Sequence, residues 1–172
     1  MSIKKLLILA LIAAAAFYVF KVKGFNPFSS KIKGETSLYQ LNGNIKPLSE
    51  LAGENGTLIF LMGTWCPYCI EEVGYLKQMT DFFRLHKINV LFGIYGQTID
   101  ETNSWAYKQD LPWDWKTFYW EERFEEEFHI KKFVVPHLTA INKKGEIIYS
   151  KGGTLYSDGL SKICNDMLKS NN

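Results

Sequence analysis

The sequence predicts an α/β fold in which helices cover both faces of a central sheet. Three observations carry this. Two unbroken apolar runs, Thr57 to Met62 and Ile88 to Tyr95, have strand length without the alternation of a half-exposed strand. A segment of helical periodicity follows each, and the chain closes with strand, turn, strand and helix. With 172 residues, 47% hydrophobic and 15% aromatic, the chain can bury one sizeable core, so a single globular domain is expected.

The elements are assigned in chain order. Ser37 to Gln40 and Ile45 to Pro47, joined at Asn42-Gly43-Asn44, form a small hairpin, with a short helical turn at Ser49 to Ala52. After the strand Thr57 to Met62, residues Pro67 to His86 read as one helix, because Ile70, Val73, Leu76, Met79 or Thr80, and Phe83 recur at helical spacing. Ile88 to Tyr95 is the next strand. Asp100 to Gln109 is helical with Asp100 as its cap, and Pro112 prevents the helix from continuing. Trp115 to Tyr119 is a further strand and Glu121 to His129 a short acidic helix. His137 to Ile141, the turn Asn142-Lys143-Lys144-Gly145 and Glu146 to Ser150 make a second hairpin, and Ser157 to Lys169 the closing helix.

The charge is uneven. Lys4, Lys5, Lys21, Lys23, Lys31 and Lys33 all precede Glu35, the first acidic residue; of the 20 basic residues 14 then remain against 18 acidic ones, a balance of −4. Such a domain lacks the clustered basic face that nucleic acid requires, and that class of partner is dropped. Leu6 to Phe20 is an uninterrupted apolar run flanked by lysines. It falls slightly short of the about 17 residues that span a bilayer, but Lys4, Lys5 and Lys21 can snorkel, and Phe17, Tyr18 and Phe20 suit an interface. Residues 1–23 are therefore read as a membrane anchor, with a cleaved signal peptide cut near Ala13 to Ala16 as the alternative. Residues 24–36 are a linker and 37–170 the domain. Both readings send the domain across a membrane: single-pass on a bacterial cytoplasmic membrane, facing the periplasm or exterior, or soluble in the periplasm after cleavage.

Of three cysteines, two stand at a spacing with chemical meaning: Trp65-Cys66-Pro67-Tyr68-Cys69, after a buried strand and opening a helix. Cys66 would lie at the helix N-terminus, where the dipole and free amides favour thiolate over thiol. Pro67 suits the first helical position, since its missing N–H is not needed there. Cys69, one turn on, could attack a mixed disulfide formed at Cys66 and resolve it. Half of a zinc tetrathiolate has the same spacing, but no second Cys-x-x-Cys or His pair accompanies it. A redox pair is the stronger reading. Cys164, in the last helix, reads as a small buried hydrophobe.

The run Gly63-Thr64-Trp65-Cys66-Pro67-Tyr68-Cys69, then Glu72, Val135-Pro136 and Gly145, resembles membrane-anchored thioredoxin-like proteins of the TlpA/ResA type over about residues 37 to 170. The resemblance implies a thioredoxin fold with an N-terminal hairpin extension and thiol-disulfide oxidoreductase activity outside the cytoplasmic membrane. It implies exported protein thiols and disulfides as clients, a membrane thiol reductase as electron donor, a part in cell redox homeostasis, and no bound cofactor or metal beyond a redox-active disulfide, Cys66 with Cys69. Cys66 becomes the exposed nucleophile and Cys69 the buried resolving thiol. Pro136 becomes a cis-proline that exposes the Val135 backbone, where an extended client could pair as an added strand. Glu72 matches an acid of the reductive members and could take or relay the Cys69 proton; Glu71 and Glu72 are equally what an exposed first helical turn prefers. Trp65 would shield the pair and offer a flat contact surface, or simply pack.

The chain also departs from this pattern. Phe60 stands where thioredoxin has a buried Asp, and Pro67-Tyr68 is the glutaredoxin order of the dipeptide that tunes the potential. Gly74 replaces a helix-kinking proline, implying a straighter helix. His137 replaces a Thr and could approach Cys66, or complete a copper or zinc site with the pair. A disulfide oxidase or isomerase and a metal-handling module are thus the alternatives to a reductant. The aromatic segment Trp105, Tyr107, Trp113, Trp115, Tyr119 and Trp120 is expected to pack as the core of an inserted helix and strand rather than to form a partner surface.

Overall fold

In chain order the elements are β1 (Ser37–Tyr39), β2 (Ile45–Pro47), α1 (Leu48–Leu51), β3 (Gly56–Gly63), α2 (Pro67–Gln78), α3 (Thr80–Leu85), β4 (Ile88–Tyr95), α4 (Ile99–Lys108), β5 (Lys116–Tyr119), α5 (Arg123–Glu127), β6 (His137–Asn142), β7 (Ile147–Gly152) and α6 (Ser157–Lys169). The computed structural model describes residues 36–96, 98–130 and 134–172. The segment read as an anchor, 1–23, and all of the linker but Thr36 lie outside these. Among the described residues no helix is long and apolar enough to cross a membrane.

Five strands form one sheet in the order β5-β4-β3-β6-β7. The first three run parallel, and β6 and β7 are antiparallel additions. β3 lies at the centre with every residue buried, which is why its sequence is apolar without alternation. Its pleat divides the core between two faces. Leu58, Phe60 and Met62 pack with Val73 and Leu76 of α2 and with Leu160, Ile163, Cys164 and Met167 of α6. Ile59 and Leu61 pack on the other face with Leu38, Leu48, Leu51, Phe118, Phe124 and Phe128. Gly93 of β4 belongs to this second face, and a Cβ there would come within 2.5 Å of Leu61 and 2.7 Å of Phe118. The N-terminal hairpin joins the edge of the sheet through a bridge between Gln40 and Phe118.

Two expectations need correction. The helix expected over Pro67 to His86 is two helices, since Met79 adopts φ −94° and ψ 6° between α2 and α3. Thr80 Oγ1 donates to the Lys77 carbonyl at 2.7 Å, a local bond of the kind that competes with regular helix. Gly74 lies within α2 without interrupting it. At the start of α4 the cap is Thr98, not Asp100: the Thr98 hydroxyl accepts from the Glu101 amide at 3.1 Å, one half of a capping box. Elsewhere the expected spans hold to within about two residues, the usual scatter of element ends.

Candidate active site

The end of β3 turns tightly into α2. The Thr64 amide donates to the Tyr95 carbonyl at 3.1 Å, and the Cys66 amide to the Gly63 carbonyl at 3.1 Å. Cys66 is the N-cap of α2, with extended backbone, and Pro67 takes the first helical position. The Cys66 sulfur accepts a hydrogen bond from the Cys69 amide at 3.2 Å, so the residue that caps the helix is also the one the helix dipole polarises. Cys66 and Cys69 are disulfide-bonded with Cα atoms 5.2 Å apart. Cys66, expected to be exposed, is itself largely buried in the core at the turn from β3 into α2 and keeps only 6% of its surface open, and Cys69, as expected, keeps none.

Around the pair, Trp65 and Tyr68 are exposed. The Trp65 ring meets Tyr95 edge-on at 5.3 Å and lies over Gly63, where a Cβ would stand 2.9 Å from it. The Val135–Pro136 peptide bond is cis. Pairing of His137 with Leu61 brings Pro136 to the end of the sheet where Gly63 leads into Cys66. The Pro136 carbonyl accepts from the Gly153 amide at 2.8 Å.

Glu72 departs from the exposed-turn alternative, for it is only 2% exposed. It lies three residues beyond Cys69 on α2, so the two share a helix face. Its Oε2 accepts from the Leu155 amide at 2.9 Å. Burial pushes its carboxyl up to about 7 despite that hydrogen bond, and neighbouring Glu71 adds to the rise. Leu155 is a site residue that sequence reasoning missed, because it acts through its backbone and carries no side-chain signal.

By sequence, residues 29–150 match the AhpC/TSA family. The chain belongs to the AhpC/TSA family. None of the curated proteins matches it. Solved structures match its fold: a Neisseria meningitidis protein designated a thioredoxin (21% identity, 83% of this chain and 93% of that one, TM-score 0.69); a thiol:disulfide interchange protein of Chlorobium tepidum (13%, 80% and 96%, 0.68); and a secreted disulfide oxidoreductase of Mycobacterium tuberculosis (13%, 76% and 95%, 0.62). The sheet order and the cis-proline are those of a thioredoxin-like α/β fold. As an AhpC/TSA family member with a bonded Cys-x-x-Cys at a helix N-terminus, the chain is a thioredoxin-like oxidoreductase acting on thiols and disulfides.

Other expected residues of this AhpC/TSA family member fall elsewhere. His137 does not reach toward Cys66. It pairs with Leu61 in the sheet and therefore points to the face opposite α2, where its Nε2 lies 3.0 Å from Ser150 Oγ. Burial lowers its pKa to about 4, so the imidazole is neutral. No group of three His, Cys, Asp or Glu among the described residues could hold a metal ion, and the metal-handling alternative finds no ligand set there. Cys164 is fully buried with its thiol pushed up to about 12 by desolvation, the inert character expected of it. Phe60, where thioredoxin has an acid, belongs to the apolar core. The aromatic segment divides: Trp115, Phe118 and Trp120 are buried, whereas Tyr107 and Trp113 are among the most exposed side chains, at 89% and 84%.

Proposed function

We propose that the chain is a membrane-tethered thiol-disulfide exchange enzyme of the TlpA/ResA type that reduces disulfides of exported proteins. The observation that carries this is the asymmetry of the pair: Cys66 caps α2 and keeps a small exposed surface, 6%, while Cys69, one turn on, keeps none. The Cys66 thiolate attacks a client disulfide, forming a mixed disulfide and releasing one client thiolate. Cys69 then attacks Cys66 Sγ, the Cys66–client bond breaks, and the second client sulfur leaves. Two electrons pass from the enzyme dithiol to the client, and the enzyme is left with the Cys66–Cys69 disulfide. A membrane thiol reductase restores the dithiol, and the cycle uses no bound cofactor.

The Cys69 proton passes to Glu72, whose buried carboxyl, at about 7, is matched to a proton acceptor at neutral pH. The match of Glu72 to the acid carried by reductive members of the TlpA/ResA type supports the reductive direction. The exposed Trp65 and Tyr68 offer contact area, and the Val135 backbone before the cis-proline receives an extended client segment. Residues 1–23 hold domain 37–170 to a membrane through the linker 24–36. The apolar run Leu6 to Phe20 and the secreted state of the Mycobacterium tuberculosis relative support this placement.

Equilibration of the Cys66–Cys69 pair against dithiothreitol tests the direction. A two-electron potential toward the thioredoxin value, about −270 mV, supports the reductant, and one near about −120 mV reassigns the chain as a disulfide donor.

A further inference from the structure

The strand β7 leaves the sheet through Gly152-Gly153-Thr154-Leu155, and this short segment touches both halves of the site. The Gly153 amide donates to the Pro136 carbonyl at 2.8 Å. Two residues later, the Leu155 amide donates to Glu72 Oε2 at 2.9 Å. The glycines are what allow one segment to make both bonds. At Gly152 a Cβ would stand 2.9 Å from both Cβ and the carbonyl oxygen of Val134, so only glycine lets the strand end pack against the residues leading into the cis-proline. Gly153 has φ +109°, a conformation that other residues adopt only with strain.

We propose that Gly152–Leu155 is a positioning segment that couples the client-receiving edge at Val135–Pro136 to the carboxyl of Glu72. An extended client segment that pairs beside Pro136 bears on the carbonyl held by Gly153, and through the next two peptide units on the amide that holds Glu72. Shortening or releasing the Leu155 bond changes how tightly Glu72 keeps its proton, because that bond favours the carboxylate. The remaining groups that interact with Glu72 are Glu71 and Tyr75 on its own helix and Tyr149 of β7; Cys69 lies three residues before it on α2, and Tyr156 stands by Tyr75 at the start of α6. None of these bonds the Pro136 edge. The segment thus links the two sites directly, with one hydrogen bond at each end of two peptide units. The inference rests on the reading of Glu72 as the proton partner of Cys69, and its test separates the two.

The test tracks the Glu72 carboxyl by carbon-13 NMR titration in the full-length chain. Loss of the Leu155 N–H in Leu155→Pro should raise the Glu72 titration by about one pH unit, and Gly153→Ala should shift it in the same direction. Independently of those variants, Cys66 of a Cys69→Ala chain is capped either with a methylthio group or, as a mixed disulfide, with a short cysteine-containing peptide. Coupling requires the Glu72 titration to differ between the two caps, since only the peptide supplies a backbone to the Pro136 edge. Identical titrations under both caps overturn the proposal, as does an unmoved Glu72 in both folded variants. Movement of Glu72 without a matching change in the pH profile of Cys69 reactivity supports the segment and instead overturns the assignment of Glu72 as proton partner.

Discussion

The Cys69 amide donates a 3.2 Å hydrogen bond to the sulfur of Cys66. The bond gives the two cysteines different characters: the Cys66 sulfur is capped by a helix amide, and Cys69, one turn on, has no exposed surface. In the reduced chain, alkylation at neutral pH should therefore modify Cys66 first. Cys69 and Cys164, both without exposed surface, should react only after denaturant is added. Peptide mass mapping of a time course checks the order.

Glu72 should make the folded chain less stable as pH rises. Its carboxyl is raised from 4.5 to about 7, so the folded state binds this proton more tightly than the unfolded state. The stabilisation is complete below pH 4.5 and is lost between 4.5 and 7, about 3 kcal/mol in all. Urea unfolding of the disulfide-bonded chain should show that loss, and Glu72→Gln should remove it.

His137 should act in the opposite sense. Its pKa is lowered from 6.5 to about 4 by burial, so its contribution is complete above pH 6.5 and lost as pH falls toward 4, again about 3 kcal/mol. His137→Leu should flatten the acid side of the same stability profile. Because the imidazole faces away from α2, the variant should leave the rate of Cys66 alkylation unchanged, which the mass mapping reads directly.

The aromatic side chains between Trp105 and Phe128 should divide energetically as they divide in space. Phe124 is fully buried, stacked on Phe128 at 5.3 Å and edge-on to Phe118 at 5.6 Å. Phe124→Ala should cost about 3–5 kcal/mol in urea unfolding. Trp113, exposed beside Arg84, should change stability by no more than about 0.5 kcal/mol when replaced by Ala.

Much of this was legible in the residues. The apolar run before Trp65, the position of Pro67 and the spacing of Cys66 to Cys69 together encode a strand, a turn and a capped helix. The cis bond at Val135-Pro136, which the structure contains, was implied by the family resemblance rather than by the residues alone. The Thr98 cap was legible too, since Thr98-Ile99-Asp100-Glu101 carries the capping-box spacing, but Asp100 competes for the same role in sequence. The features that sequence could not carry depend on tertiary neighbours. Glu71 and Glu72 look alike in the chain, and only the packing of α2 beneath Leu155 buries one and leaves the other at the surface. The side of the sheet on which His137 falls is set by its register with Leu61, and a one-residue change of register would reverse it. The break at Met79 likewise arises from a local Thr80 bond that helical periodicity does not reveal.

The central claim is dithiol exchange with protein clients through Cys66. Expression of the full-length Cys69→Ala chain in cells, with acid quenching and non-reducing electrophoresis, tests it most directly. Covalent adducts should accumulate, dissolve on reduction, and vanish in the Cys66→Ala, Cys69→Ala double variant. Absence of any adduct, or equal adducts in the double variant, would contradict the account.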